Sequence, residues 1–286
     1  MKVEFFEPRT LNEAALLLAK HGDKAKLIAG GTALALMLQQ KLIAPRVLVS
    51  LGRIGEQHGI DITDDGLHIG ALVSLQAAER SPVLRAFCPA LAHTFGVVGN
   101  VRVRNQATVG GNLAEADYAS DPPAMLLALD ARVNVVSANG SRTIPLSEFF
   151  FGFFTTALEP NEVLSEVIVP PLPATARSVY LKYASRSAED RPCVGVAAVV
   201  DVDQDGMCRD LRLAVGAALE TPQRLAEVEA SARGQRLSAD LIASIADAYA
   251  RALDPLSDVR GSAWYRREMI RVFVRRALLE VRDGDR

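Results

Sequence analysis

Cysteine is nearly missing from this chain. Three of its 286 residues are Cys (Cys88, Cys193 and Cys208), and no two are spaced as a C-x-x-C pair. That excludes a zinc ribbon and a thiolate-held iron–sulfur cluster within the chain. Each cysteine reads as a small buried hydrophobe. Histidine is as scarce: His21, His58, His68 and His93 are scattered, and none pairs at helical spacing with Glu or another His. A metal site is therefore not expected, and His68, inside an alternating strand pattern, reads as structural. Neither sign of charge predominates, with 32 Lys and Arg against 34 Asp and Glu. A basic surface that would steer nucleic acid or an anionic membrane is absent. No apolar run reaches the roughly 18 residues of a membrane span. The opening Met1-Lys2-Val3-Glu4-Phe5-Phe6-Glu7-Pro8 is too acidic and too short of apolar residues for a signal peptide. A cytoplasmic setting is the default expectation, and any redox chemistry here would rest on an organic cofactor.

Glycine, by contrast, is placed with purpose. One pair sits in Ala29-Gly30-Gly31-Thr32-Ala33 and another in Thr108-Val109-Gly110-Gly111-Asn112. Each follows a short apolar or β-branched segment. The first pair then enters a helical pattern, and the second is expected to reach one at Pro122 after a short loop. Backbone without Cβ approaches a ligand closely and tolerates positive φ. Amides left free at such turns, or at the helix start beyond, are donors for phosphate oxygens. Two such turns point to a large phosphate-bearing cofactor gripped from both sides.

The length suits about two domains, and 49% hydrophobic residues suffice for a core. Thr10 with Glu13 forms a capping box ahead of a helix over 10–20. A strand is expected over 24–29, then a helix over 33–41 capped by Thr32, then a strand over 47–51. This start lacks G-x-G-x-x-G spacing, so a dinucleotide fold of that kind is not indicated. Hairpins are read over 60–73, turning at Asp65-Gly66, and over 132–145, turning at Asn139-Gly140. Helix is expected from Ser81-Pro82 through residue 95, irregular chain over 96–104, and a further helix from Asp121-Pro122-Pro123. After a strand over 163–170 the Pro170–Ala174 stretch reads as a linker. Three strands (178–185, 194–203, 211–218) and three helices (223–234, 239–253, 262–282) follow. Arg266, Arg267, Arg271, Arg275 and Arg276 read as a solvated face of the last helix.

The ordered set Lys26–Thr32, Val103–Ala114, Ala119-Ser120-Asp121-Pro122-Pro123, the opening Phe6-Glu7-Pro8-Arg9-Thr10-Leu11 and Lys182-Tyr183-Ala184-Ser185-Arg186 resembles the FAD-binding subunit of molybdenum hydroxylases, the xanthine dehydrogenase and carbon monoxide dehydrogenase family. The resemblance spans nearly the whole chain. It implies an α+β architecture: a two-lobed FAD-binding fold of the vanillyl-alcohol oxidase type over 1–175 (lobes about 1–56 and 57–175), then a C-terminal three-stranded sheet with helices over 176–286.

The resemblance also places the FAD pyrophosphate between Ala29, Gly30, Gly31, Thr32 and Ala33 on one side and Thr108, Gly110, Gly111 and Asn112 on the other. Asp121 matches a position contacting the polar part of the cofactor, although a plain helix N-cap accounts for it equally. Lys182 matches a lysine near the flavin ring, or is a strand lysine facing solvent. Tyr183 is expected to edge the ring, and Ile168 to press against it. Thr32-Ala33 departs from the polar pair of the family pattern, which shifts the work at that end to backbone donors.

The implied function is electron transfer. A small iron–sulfur subunit would deliver electrons that originate at a molybdenum cofactor on a large subunit, and an external acceptor (NAD, a quinone or oxygen) would receive them. No general base is expected in this chain. Two alternatives stay open: a stand-alone FAD oxidase or dehydrogenase of the same superfamily, and a non-redox nucleotide-binding assembly module.

Overall fold

The computed structural model describes residues 3–284; Met1 and Lys2, part of the opening read above, lie outside the described residues. The first lobe is a parallel sheet built by two crossovers. Strand β1 (Glu4–Phe6) leads into helix α1 (Leu11–His21), β2 (Ala25–Ile28), helix α2 (Leu34–Gln39) and β3 (Val47–Ser50), with β3 in the middle of the sheet. Thr10 caps α1 as expected: its Oγ1 accepts from Glu13 N–H at 3.1 Å, while Glu13 Oε2 reaches back to Arg9 N–H at 2.7 Å. Leu11, Ala14, Ala15 and Leu18 bury one face of α1 against Val47, Val49 and Leu51.

The second lobe begins with the hairpin β4 (Ile60–Thr63) and β5 (Gly66–Gly70), then six short helices: α3 (Leu75–Arg80), α4 (Pro82–Phe87), α5 (Pro89–Gly96), α6 (Val101–Gln106), α7 (Val109–Glu115) and α8 (Pro122–Ala128). Strands β6 (Arg132–Ser137) and β7 (Gly140–Pro145) form the second hairpin. The small ribbon β8 (Phe150–Gly152) and β9 (Thr155–Thr156) precedes β10 (Val163–Val169). β10 returns to the centre, giving the order β4-β5-β10-β6-β7.

Two expectations change here, and one helix is added. The helix over 81–95 is two helices, because Pro89 cannot continue the ladder and Cys88 before it is extended (φ −152°, ψ 92°). The stretch over 96–104 is not irregular throughout: Asn100 Oδ1 accepts from Arg102 and Val103 N–H and starts α6. Helix α3, capped by Ser74, had no reading in the sequence.

The C-terminal sheet holds β11 (Ala176–Tyr183), β12 (Val194–Val202), β13 (Cys208–Gly216) and the two-residue edge strand β14 (Gln223–Arg224), so the three expected strands gain a fourth from the start of an expected helix. Helices α9 (Ala226–Ala230), α10 (Ala239–Ala252) and α11 (Ala263–Asp283) pack behind it. β12 is buried along nearly its full length, since both faces are covered. Tyr180, Ala197, Val199 and Ala214 join the second-lobe core, while Val179, Val194, Val196 and Val215 join α10 and α11. The basic face of α11 is only partly solvated. Arg266 is fully buried, with Nη2 2.8 Å from Asp258 Oδ1 and Nη1 3.1 Å from Leu256 O.

On the outer face of the five-stranded sheet, His68 Nδ1 lies 3.0 Å from Glu166 Oε2 and Nε2 lies 2.9 Å from Asp65 Oδ1. Burial disfavours charge on this ring, but the hydrogen bonds to Glu166 and Asp65 outweigh it and raise the pKa above 6.5. A raised folded pKa means that the stability from this cluster is fully present below pH 6.5 and is lost as pH climbs through the raised value. NMR titration of the His68 ring should give a midpoint above 6.5; one at or below it would refute the cluster's protonated reading.

Candidate functional site

The chain after β2 turns back on itself through Gly31, whose φ of +71° requires glycine. Among the described residues no protein acceptor takes the main-chain N–H of Gly30, Gly31, Thr32 or Ala33. Ala33, not Thr32, occupies the N-cap position of α2, and no side chain caps that helix. The result is a row of four amides with nothing to donate to.

The second glycine pair is not a turn. Gly110 and Gly111 form the first turn of α7, which Thr108 caps by accepting Gly111 N–H at 3.1 Å. Val109 N–H donates to Val73 O, Gly110 N–H to Ala71 O, and Asn112 N–H to Thr108 O, each at 2.9 Å. The expected free amides on this side are therefore spent within the protein. The glycines serve close packing: a Cβ on Gly110 would lie 2.5 Å from Ala71 Cβ.

The two loops meet. A Cβ on Gly30 would fall inside the carbonyl of Gln106, two residues before Thr108, and the Cβ position of Gly111 is 3.9 Å from Ala29 Cβ. Loop and helix start are thus in direct contact and form one continuous surface. Asn112 extends this surface, because Ser120 Oγ donates to its Oδ1 at 3.0 Å, and Ser120 leads directly to Asp121.

Asp121 stands at the head of α8 but makes no capping bond to it. Its side chain, 3% exposed, instead accepts from Tyr180 Oη at 2.8 Å and from Lys182 Nζ at 3.1 Å. Lys182 Nζ also donates to Val97 O, at the end of α5, at 2.7 Å. The side chain of Lys182 is 8% exposed, so the solvent-facing alternative is excluded. Burial raises the Asp121 carboxyl to about 6, against the opposing pull of Lys182 and Tyr180. Burial and the neighbouring Asp121 push the Tyr180 phenol well above its usual range. A buried lysine is therefore paired with a carboxylate, Asp121, that stands next in sequence to Ser120, which holds Asn112.

Two expected residues are not brought to this place. Successive side chains on a strand point to opposite faces. With Tyr180 and Lys182 turned toward α8, Tyr183 faces α11, where its hydroxyl meets that of Tyr265 and its ring packs on Phe273. Ile168, itself buried, pairs with His68 and Arg132 on the face of the sheet that carries Val136 and Val163 of the first-lobe cluster, whereas its neighbours Val167 and Val169 enter the core that α7 packs on. Tyr180, Gly195 and the Val97 carbonyl were missed. The i, i+2 spacing of Tyr180 and Lys182 was the available signal for the first.

A buried diphosphate needs dense donors. The four unused amides at Gly30–Ala33, on a loop packed against Gln106, together with a buried ammonium at Lys182, are chemically suited to an extended anionic cofactor of the FAD type.

Comparison with known proteins agrees. A family profile described as the FAD binding domain in molybdopterin dehydrogenase matches residues 1–172, and one described as the CO dehydrogenase flavoprotein C-terminal domain matches residues 179–281. The chain is 33% identical to the glyceraldehyde dehydrogenase medium chain of Sulfolobus acidocaldarius, over 94% of this chain and 95% of that one. It is 31% identical to the carbon monoxide dehydrogenase medium chain of Hydrogenophaga pseudoflava, over 97% and 96%. Among solved structures, a carbon monoxide dehydrogenase from Hydrogenophaga pseudoflava superposes with a TM-score of 0.94 at 32% identity, covering 98% of this chain and 97% of that one. Quinoline 2-oxidoreductase from Pseudomonas putida 86 gives 0.93 at 29% identity, covering 99% and 98%.

Proposed function

Because the chain belongs to the family of FAD-binding subunits of molybdopterin-dependent dehydrogenases, we propose that it is the electron-transfer flavoprotein of a three-part oxidoreductase. In this reading a small iron–sulfur subunit and a large molybdenum subunit are its partners, and the complex works in the cytoplasm. When bound, FAD supplies the redox chemistry that links the partner's clusters to an external acceptor, be it NAD, a quinone or oxygen. The observation that carries the reading is the row of unused amides at Gly30–Ala33, on a loop packed too tightly against Gln106 for a side chain at Gly30.

This chain's own residues bind and orient. The Gly30–Ala33 amides hold the diphosphate, with the Thr32 hydroxyl beside them. Ala29 and the Thr108–Asn112 segment adjoin this loop by packing, because the Gly110 and Gly111 amides are already engaged. Asp121 and Lys182 fix the polarity at the flavin end. Two of the three Lys182 N–H bonds go to Val97 O and Asp121, which leaves one for a ligand. Acid–base chemistry on the organic substrate belongs to the large subunit. Among the described residues no helix is long and apolar enough to cross a membrane.

Native purification tests this directly. The tagged chain should co-purify with two other subunits, and the assembly should carry stoichiometric FAD, iron and molybdenum by absorbance, metal analysis and mass spectrometry. An assembly free of flavin, or a lone chain that oxidises an organic substrate unaided, would overturn the proposal.

A further inference from the structure

Tyr180 has no part in the reading above, yet it is one of the largest fully buried side chains and its hydroxyl is committed to Asp121. Space for that hydroxyl is made from the neighbouring strand. Lys182 pairs with Gly195 across β11 and β12, and a Cβ on Gly195 would collide with the Tyr180 Oη. Glycine inside a strand weakens it and often marks a close approach; here it admits a phenol. We propose that Tyr180 is a positioning residue: seated over Gly195, it holds the Asp121 carboxylate against Lys182 and so sets how much of the lysine's positive charge reaches the flavin end of the site. This rests on the FAD reading of that site.

Each Asp121 oxygen has one donor, Tyr180 on Oδ1 and Lys182 on Oδ2. Among the described residues, the charged and titratable groups that act on Asp121 are Lys182 and Tyr180, both from β11; the Val97 carbonyl at the end of α5 holds Lys182, and Gly195 of β12 lies against Tyr180. Without the phenol the carboxylate loses a hydrogen bond that favours its ionised form, so its pKa rises from about 6 toward neutrality. Protonated Asp121 no longer offsets Lys182. Uncompensated positive charge beside a redox group favours its reduced form.

The test uses the purified, flavin-loaded assembly and reads the flavin midpoint potential by spectroelectrochemistry on either side of pH 6, against an Asp121→Asn reference that carries the cofactor's own pH dependence. Wild type should show an extra rise in potential on acidification. In Tyr180→Phe that rise should move to higher pH, making the potential at neutral pH more positive than wild type. Gly195→Ala, which displaces the phenol without removing it, should shift the same way and covers the case in which Tyr180→Phe fails to fold. Adding Tyr180→Phe to Asp121→Asn should change nothing. A flavin-loaded assembly whose potential ignores both changes, or a Tyr180→Phe shift that persists in the Asp121→Asn background, overturns this inference alone. An assembly without flavin overturns the proposed function and takes this inference with it.

Discussion

Gly30→Ala is expected to strip most of the FAD from the assembly. The new methyl group would lie within the carbonyl of Gln106, which is backbone and has no rotamer to yield. The first loop must therefore swing away from the wall at Thr108–Asn112, and its four amides lose their alignment. Overpacking of this kind costs about 1–3 kcal/mol, equivalent to roughly a ten- to hundredfold loss of cofactor affinity. Gly55→Ala is the control. Gly55 has φ −78° and nothing within 4 Å of its Cβ position, so flavin content should not change. Flavin content per chain after gel filtration reads both. Full occupancy in Gly30→Ala would mean that contact between the loops does not form the binding wall.

The second large effect is on stability. Lys182→Met leaves Asp121 buried at 3% exposure with only Tyr180 as a donor. Breaking a buried pair from one side costs about 3–5 kcal/mol, or roughly 10 °C in Tm for a chain of this size. The double variant Lys182→Met with Asp121→Asn should recover much of that loss, because no isolated charge remains. The Asp121 carboxyl adds a pH signature. Its folded pKa of about 6 exceeds the ordinary 3.8, so the native state holds the extra proton between those values, and stability falls as pH rises through them. Asp121→Asn should flatten that slope in denaturant titrations. Additive single-variant losses, with no recovery in the double variant, would show that Asp121 and Lys182 are not coupled.

Local chemistry explains why much of the chain was legible beforehand. The α1 capping box, the Asp65-Gly66 and Asn139-Gly140 hairpins, and the strand-then-helix order after Pro173 each depend on residues close together in sequence. The break at Cys88-Pro89 was legible too, but the apolar periodicity on either side of it concealed the break. Other features had no local signal. The same glycine doublet gives free amides at Gly30-Gly31 and a satisfied helix turn at Gly110-Gly111, because Ala71 arrives from a distant segment to accept Gly110 N–H, beside the local Thr108 cap on Gly111. Tyr183 looked as eligible as Lys182 until the face of β11 was known.

By itself the sequence determined which segments turn, cap and alternate, since propensity and pattern act over a few residues. Only the tertiary structure decided that Gly30 touches Gln106, that Asp121 serves Lys182 rather than its own helix, and that Ile168 and Tyr183 face elsewhere. Hydrogen bonds and excluded volume are settled by groups brought together from distant parts of the chain, and pairing across β11 and β12 fixes which side of the strand meets them.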